Sequence, residues 1–571
     1  MVIMGCVVRC AARKKKVYFL ACIFSTMTGL QLDTLSYALL TTIFGAATVL
    51  SIRNAKGADI HPLLLNTQSD VSKLRHPGES AIYRSRMYPN GSPLLSTFDR
   101  NFRTVADLYR QALSKHASSD MVGERTTFGY RWHTYETMAR RAEVIYANLV
   151  NLGLKPRTGE ANSFVGLYAT NSPNTVAFSL ACHLNGLVTV PIAAKANSSH
   201  ISHVLRDTSL TVLVVDAANL DRVLSLVEGT SVKHIIVIGK SVSPAKDGIN
   251  IVRLQEFENT ETKVAEQDAP VADDLASIYY SSTSIEQKAG VVLTHKNLLS
   301  SIASYLLVIP PQQKVTPKDR LMHNLPIDNV FGYVQSVVFI FMGASIVFAD
   351  EVEGDHVDAD ISSTLIAVAE AKPTVYASGS AFLQQVKSLI ESRYGNSFLF
   401  RRGLDTKMSY FEEGRLVTDS KYDMLVFRDI RTKLFGGQLR LMFVDKHDAT
   451  TEPIAPFLRA VLGVQVLQCF NRPETSSTMT AAMFYDYKAD VSAFGAPLPC
   501  NELKLMDLPE HALTSEDQPN PRGEIWVRGN NVFRGYWKNP QATESVIDAD
   551  GWFNTRTHGE LLPNGVLKLL S

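Results

Sequence analysis

From about Thr104 onward, short apolar runs alternate with stretches of helical periodicity, and this alternation constrains the fold more than any other feature. One helical stretch, residues 135–152, places apolar side chains on one face and is followed by Gly153, a residue typical of helix ends. Such alternation predicts βαβ units and mostly parallel sheets. The runs with the character of buried strands are 164–170, 210–216, 233–239, 345–349, 439–444 and 464–468.

The length and charge of the chain exclude several classes of protein. At 571 residues it is too long for one ordinary core, and a hydrophobic content of 45% gives two or three packed units enough apolar surface to bury. Its 57 Lys and Arg residues balance 56 Asp and Glu residues, which argues against a protein organised around nucleic acid. The 6 cysteines are scattered without a CxxC pair, so neither a disulfide framework nor a zinc site is expected.

The N-terminal region differs in kind from the rest. A basic tail precedes an apolar segment at 17–30, and a second apolar segment at 35–52 is closed by Arg53 and Lys56. The second segment is just long enough to span a bilayer, so we predict a membrane anchor in residues 1–56, with a cleaved signal peptide as the alternative. We prefer a shallow hairpin through both segments, which keeps the basic flanks and the main domain on the cytoplasmic side. The alternative is a single span with a cytoplasmic N-terminus, which would place the main domain across the membrane.

The sequence changes again after Pro497, where short strand-like runs and turns replace the long alternation. Asn564-Gly565 between apolar runs is a strong hairpin signal. We therefore divide the chain into the anchor region, a linker at 57–103 and a large domain at 104–571.

Several segments of the large domain together resemble the long-chain acyl-CoA synthetases of the adenylate-forming superfamily. Family members typically read YTSGTTGxPKGVVLTH where residues 280–295 read YSSTSIEQKAGVVLTH, and LPLAHxF where residues 325–331 read LPIDNVF. The shared order of the segments indicates a common fold. Further matches are YxWxxY at 130–135, KPT at 372–374, GAPLPCNELKLMD at 495–507, GEIWVRGNNVFRGYWKNPQAT at 523–543 and DGW at 550–552.

The resemblance implies an α/β fold in which two βαβ subdomains and a distorted β-barrel form the large N-terminal domain of an adenylate-forming enzyme. It also implies a two-step reaction. A fatty acid carboxylate attacks the α-phosphate of ATP, and the thiol of coenzyme A (CoA) then displaces AMP. Catalysis of this kind rests on positioning and on neutralising phosphate charge through backbone N–H groups, Mg²⁺ and a lysine. A long-chain fatty acid, ATP, Mg²⁺ and CoA are therefore the ligands that the resemblance implies.

The phosphate-binding loop of the family corresponds to residues 280–290. Its glycines let the backbone adopt positive φ close to the phosphates, and they are replaced here by Thr283 and Glu286. Glu286 also brings a negative charge next to the expected triphosphate, so nucleotide affinity is expected to fall. A plain connector is the alternative interpretation of the loop. The residues that would bind nucleotide here are Ser281, Ser282, Thr283, Ser284, Lys288 and Gly290.

Two further segments correspond to the adenine side of the family's site. The small residues of the SGSAP segment are replaced at 445–449 by DKHDA, which is large and charged. In the YGLTET segment, FNRPET here, Glu474 stands at the Mg²⁺ ligand and Thr475 is retained, so the resemblance assigns catalytic roles to both. A solvated helix start is the alternative for this Glu-Thr pair. The nucleotide contacts assigned to the same segment are Phe470 and Asn471.

The ribose site of the family is an HTGDIG segment, which reads NTRTHG at 554–559. Its aspartate accepts both ribose hydroxyls, whereas Thr557 at this position lacks the acceptor sites of a carboxylate. We expect this loss to weaken nucleotide binding by about 1.5 to 3 kcal/mol. The chain reaches Ser571 where the family has its hinge into a mobile lid, so we expect the lid to be missing, with an incomplete gene model as the alternative.

The acyl pocket is better preserved. The segment that helps to form it in the family keeps aromatic character at 331–333, and the resemblance assigns Asn329, Phe331 and Gly332 to the substrate. Asn329 replaces the family's histidine. The apolar residues of a tunnel and of a core have the same sequence pattern, so both interpretations stay open.

These features give two hypotheses of different class. The first is a membrane-associated protein of long-chain acyl-CoA synthetase descent in fatty acid metabolism, with weak or lost ligase activity. The second is a non-catalytic protein that binds acyl chains or partner enzymes. In both, we expect the protein at the endoplasmic reticulum or a lipid-droplet surface, with the large domain in the cytoplasm.

Overall fold

The chain divides into two compact units, Met1–Ala58 and Asp59–Ser571. The first predicted apolar segment, 17–30, and the loop residues Ser282 and Thr283 lie outside the described residues. The computed structural model describes residues 33–54, 57–73, 75–89, 91–127, 129–240, 247–260, 269–281, 284–286, 288–351, 361–446, 454–490 and 492–570, with the backbone alone at 50–54, 350 and 351.

The described part of the first unit contains one long helix, α1, at Thr34–Asn54. Among the residues that the structure describes, no helix is both long enough and apolar enough to cross a membrane. The spanning helix that we predicted at 35–52 is therefore not supported. Polar residues interrupt its apolar run, and the hydroxyls of Thr41, Thr42 and Thr48 donate to backbone carbonyls one turn back.

The helices of the second unit confirm the predicted alternation of helix and strand. The helix predicted at 135–152 is α4, and its apolar face is buried. The helices are α2 (Pro62–Leu65), α3 (Val105–Lys115), α4 (Tyr135–Asn151), α5 (Pro173–Asn185), α6 (Ser198–Thr208), α7 (Leu220–Leu226), α8 (Leu254–Glu258), α9 (His295–Val308), α10 (Val330–Phe341), α11 (Ile361–Ala371), α12 (Ser380–Tyr394), α13 (Phe398–Glu412), α14 (Arg428–Phe435), α15 (Ala455–Leu462) and α16 (Pro540–Glu544).

Among the described residues, the strands of the second unit form three sheets. In chain order they are β1 (Ser69–Val71), β2 (Tyr83–Ser85), β3 (Asp120–Thr126), β4 (Gly129–Thr134), β5 (Phe164–Tyr168), β6 (Val188–Ile192), β7 (Val212–Asp216), β8 (His234–Ile238), β9 (Asn250–Arg253), β10 (Leu275–Tyr279), β11 (Val291–Thr294), β12 (Arg320–His323), β13 (Ser345–Glu351), β14 (Val375–Gly379), β15 (Leu441–Lys446), β16 (Gln465–Arg472), β17 (Ser477–Ala481), β18 (Ala496–Pro497), β19 (Asn501–Met506), β20 (Arg522–Gly529), β21 (Gly535–Tyr536), β22 (Phe553–Leu561) and β23 (Leu567–Leu569).

Two of the sheets are mostly parallel, as predicted. The 8-stranded sheet has the order β21-β11-β10-β6-β5-β7-β8-β9, and the 9-stranded sheet has the order β18-β17-β16-β15-β14-β12-β13-β3-β4. The runs predicted as buried strands coincide with β5, β7, β8, β13, β15 and β16. Because the carboxyl ends of parallel strands meet at one edge of a sheet, Asp445 of β15 and Asn471 of β16 lie near the same edge, where Asp445 pairs with Cys469, two residues before Asn471.

The 6-stranded sheet is antiparallel and has the order β1-β2-β19-β20-β22-β23. It stands where we predicted a distorted β-barrel, and the predicted hairpin at Asn564-Gly565 joins its last two strands. Residues 57–103, which we interpret as a linker from the sequence, contribute β1 and β2 to this sheet. That part of the chain is therefore more than a linker. Strands of 3 residues are too short to show a periodic pattern, so sequence reasoning could not find them.

Candidate active site

The loop at 280–290 leaves the sheet after β10 and returns as β11, which pairs antiparallel with β10. Ser281 and Ser284 in this loop are buried. Gly290 closes the loop in a position where no side chain fits, because an added Cβ would lie 2.6 Å from Cζ of Tyr280. Gly290 thus has a packing role, whatever ligand the loop holds.

Lys288, the cationic side chain predicted to bind nucleotide in this loop, is not buried with the loop serines. Lys288 is exposed, and its backbone carbonyl lies 2.5 Å from Nε2 of His203 on α6. The structure therefore places the serines of the loop inside the fold and the Lys288 side chain on its surface.

Glu474 connects this loop to the end of β16. Its carboxylate is fully buried, and Oε1 accepts hydrogen bonds from the Ser284 hydroxyl (2.6 Å), the Ile285 backbone N–H (2.7 Å) and the Tyr536 hydroxyl (3.0 Å). Among the described residues, Oε2 has no hydrogen-bond partner. The predicted metal ligand and a predicted phosphate contact, Ser284, are thus brought together.

Thr475, the second predicted catalytic residue, takes part in the turn that carries Glu474. Its hydroxyl lies 3.1 Å from the Arg472 carbonyl and 2.9 Å from the Ser477 carbonyl, both of which accept its proton. The side chain is fully buried. In the structure Thr475 therefore positions the Glu474 turn.

A polar bridge crosses the carboxyl edge of the 9-stranded sheet, and we define it as Asn329, Asp445 and Asn471. Nδ2 of Asn329 donates to Oδ2 of Asp445 (2.9 Å), and Nδ2 of Asn471 donates to Oδ1 of the same carboxylate (2.7 Å). Asp445 and Asn471 are buried. The resemblance implies small residues at the positions of Asp445 and Asn471, so larger polar side chains stand there in this chain.

The bridge continues into the core beside the predicted acyl pocket. Oδ1 of Asn471 accepts a hydrogen bond from the Thr478 hydroxyl, which in turn contacts the Tyr305 hydroxyl. The Tyr305 ring centroid lies 6.4 Å from that of Phe331, which is buried. Two predicted substrate residues, Asn329 and Phe331, therefore belong to one packed and hydrogen-bonded cluster.

The third predicted substrate residue, Gly332, lies in the first turn of α10. Its backbone N–H donates to Oδ1 of Asn329, which caps this helix. An added Cβ at Gly332 would lie 3.3 Å from Cβ of Leu325. Gly332 therefore fixes the helix start against the preceding loop.

Phe470, which stands at the tyrosine of the family's YGLTET segment, is fully buried. Its ring centroid lies 5.6 Å from that of Phe494, and the Arg472 guanidinium carbon lies 5.9 Å from the Phe470 centroid. Because the ring is fully buried, it has no exposed face on which a base could stack. The described contacts thus give Phe470 a core role.

Arg472 is the residue that sequence reasoning missed. Its Nη2 donates to the Thr557 hydroxyl (2.9 Å), so the predicted ribose contact is bound to protein. Burial lowers the pKa of the Arg472 guanidinium, and the negative charge of Glu474 opposes that shift. One cationic side chain therefore interacts with groups at the adenine, ribose and metal positions. The replacement of an apolar family residue by arginine in the 470–475 segment is the sequence signal that could have revealed it.

Protein groups occupy the positions that correspond to the adenine and ribose sites. Phe470 is covered, Thr557 is bonded to Arg472, and the polar bridge occupies the adenine side. The unpartnered Oε2 of Glu474 suits a cation, yet no group of three or more His, Cys, Asp or Glu side chains able to hold a metal ion occurs among the described residues.

A large cleft nevertheless opens beside this closed region. Its volume is about 1620 Å³, and it follows the carboxyl ends of β5, β7 and β8. Ser281 and Asn329 line it, as does Asp328, whose pKa is raised to about 6 by burial. The cleft is therefore in contact with the predicted loop and acyl segment.

Comparisons with known proteins agree with this architecture. Residues 110–537 match the model of the AMP-binding enzyme family. The chain is 27% identical over 503 residues to long-chain-fatty-acid–CoA ligase 5 of Rattus norvegicus, covering 85% of this chain and 71% of that protein. It is 29% identical over 513 residues to fatty acyl-CoA synthetase A of Dictyostelium discoideum, covering 86% and 73%.

Solved structures show the same fold at low identity. The N-terminal domain of FACL13 from Mycobacterium tuberculosis is 18% identical with a TM-score of 0.60, covering 82% of this chain and 100% of that chain. The adenylation domain of a carboxylate reductase from Mycobacterium chelonae is 19% identical with a TM-score of 0.64, covering 83% and 72%. The chain therefore belongs to the AMP-binding enzyme family, and the predicted resemblance to the long-chain acyl-CoA synthetases is confirmed.

Proposed function

We propose that this protein is a membrane-associated member of the long-chain acyl-CoA synthetase lineage whose ATP-dependent ligase activity is weak or lost. The observation that carries the proposal is the polar bridge, in which Asn329, Asp445 and Asn471 are joined through one buried carboxylate. ATP binding would have to break two charge-assisted hydrogen bonds, each contributing about 1.5–3 kcal/mol. The lost ribose acceptor at Thr557 adds to that cost.

The same proposal covers location and ligands. We place the protein at the endoplasmic reticulum or a lipid-droplet surface, with the large domain in the cytoplasm, and the basic residues that flank 17–30 and 35–52 support this orientation. Residues 1–56 are the proposed attachment region. Long-chain fatty acid is the proposed ligand, with ATP, Mg²⁺ and CoA needed only for residual activity.

A second candidate function is non-catalytic binding of an acyl chain or a partner enzyme. The cleft of about 1620 Å³ favours it, because this space remains open where the polar bridge closes the adenine side. Clefts of this size are ample for a small ligand or an extended segment.

Pyrophosphate exchange tests the first proposal. We expect the purified full chain, given ATP, Mg²⁺ and a long-chain fatty acid, to exchange labelled pyrophosphate into ATP at the background rate. Robust exchange would contradict the proposal. Protein that is purified without nucleotide but with bound lipid would support the second candidate.

A matched pair of variants tests the bridge itself. Asn471→Gly restores the residue that the family has at this position, and we expect it to raise the affinity for ATP above that of the wild type. Asn396→Gly alters an exposed asparagine before α13 and should leave the affinity unchanged. Equal affinities for both variants and the wild type would count against the bridge as the obstacle.

A further inference from the structure

Exposed apolar side chains cluster on the helical insertion after α12. Lone exposed apolar residues are ordinary on protein surfaces, but two adjacent pairs on packed helices are not. We call the four residues the apolar patch. They are Phe398, Leu399, Met424 and Leu425, exposed by 74%, 42%, 70% and 62%.

Two closely packed helices present this patch. One pair begins α13, and the other pair lies in a π-helix at Asp423–Phe427. An added Cβ at Gly403 of α13 would lie 2.9 Å from Cε2 of Phe427, so the helices approach without an intervening side chain. The Phe400 and Phe427 ring centroids are 5.7 Å apart. The first turn of α13 is thereby held against the end of the π-helix.

A buried ion cluster fixes the same contact. Lys407 of α13 pairs with Asp423 of the π-helix at 2.8 Å, and Arg431 contacts the same carboxylate. Burial lowers the pKa of Lys407 to about 8. Charges buried in this way keep their geometry only when they are paired, so the patch has a rigid support.

Basic side chains lie next to both pairs of the patch. Arg401 and Arg402 follow the first pair by one helical turn, and Lys421 and Arg428 lie on either side of the second pair. All of these basic residues are exposed. The region's ion pairs use other cations in the part of the chain that the structure describes, namely Lys407, Arg415, Arg431 and Lys433.

We propose that the apolar patch and its basic neighbours dock on an anionic lipid surface. Large apolar tips enter the boundary between headgroups and acyl chains, while arginine and lysine bind the headgroup phosphates. The four side chains are exposed, and basic side chains lie beside them, which suits an anionic bilayer. This inference deepens the membrane association proposed above and adds a contact that residues 1–56 do not supply.

Quenching by brominated lipid locates the contact in the full chain. Leu425→Trp puts a reporter in the patch, and Val271→Trp puts one at another exposed apolar site as the control. With brominated phosphatidylcholine vesicles that contain phosphatidylserine, we expect quenching beyond the wild-type level for Leu425→Trp alone. Arg401→Glu combined with Arg402→Glu should weaken vesicle binding by at least about tenfold.

Each outcome decides a separate point. If the protein floats with vesicles while Leu425→Trp is quenched no more than Val271→Trp, the patch proposal is overturned and the broader membrane association stands. Failure to bind any vesicle overturns both. Equal binding to vesicles without phosphatidylserine overturns the anionic specificity. If the patch binds an acidic protein and Leu425→Trp is not quenched by lipid, the lipid-surface proposal is overturned in favour of a protein partner.

Discussion

Removal of the Asp445 carboxylate is the sharpest perturbation of the polar bridge. Its oxygens accept amide protons from Asn329 at 2.9 Å and Asn471 at 2.7 Å, and the residue is only 2% exposed. Hydrogen bonds to a charged group contribute about 1.5–3 kcal/mol each, and part of this is offset because the variant no longer buries a charge. We expect Asp445→Ala to lower the free energy of unfolding by about 3 kcal/mol.

A double-mutant cycle separates this bridge from general packing. Pulse proteolysis in urea measures the folded fraction of the wild type, Asp445→Ala, Asn471→Ala and the double variant. We expect a coupling energy of about 1.5–2 kcal/mol between the two sites. Asp405→Asn, which alters an exposed carboxylate of α13, is the control and should change stability by less than about 0.5 kcal/mol. A coupling energy near zero would refute the reasoning, because the two side chains would then not be bonded.

Three further predictions concern buried polar side chains outside the polar bridge. Glu474→Gln keeps an acceptor for Ser284 but removes the charge beside Arg472, so it should destabilise the protein by about 1–3 kcal/mol in the same proteolysis assay. Tyr536→Phe should cost about 1 kcal/mol alone and almost nothing in a Glu474→Ala background, since its hydrogen-bond partner is then gone. Burial lowers the pKa of the His295 imidazole to about 4, below its ordinary value of about 6.5. Between these values the unfolded chain binds a proton at this residue and the folded protein does not, so the stability present above about pH 6.5 is lost as the pH falls towards 4. His295→Leu should therefore flatten the loss of stability on acidification by about 3 kcal/mol, and an unchanged pH profile in urea unfolding would contradict this.

The parallel sheets could be predicted from the sequence because their strands are buried on both faces. The run at 210–216 consists of β-branched and aliphatic residues up to its final Asp216, without polar alternation, and this pattern is typical of a strand buried on both faces. The hairpin at Asn564-Gly565 was equally clear, since that dipeptide favours a tight turn. The strands β1 and β2 carry no such signal. β2 is held by pairing with β19, which is distant in sequence, and β1 pairs with β2.

The family motifs pointed to residues that lie close together in the structure, but they did not predict the hydrogen bonds between them. The family motif located Glu474, and the structure joins it to Ser284. No local pattern could show that Asp445 would bond to both Asn329 and Asn471, because these residues come from three separate segments. The direction of the Arg472 side chain towards Thr557 likewise depends on tertiary packing.

Titration calorimetry of the full chain with MgATP tests the central claim most directly. If protein side chains fill the nucleotide positions, the wild type should bind MgATP with a Kd weaker than about 1 mM and so give no measurable heat at lower concentrations. Asn471→Gly should bind MgATP more tightly than the wild type. A Kd for the wild type in the range of about 1 μM, lost on removal of Mg²⁺, would contradict the account.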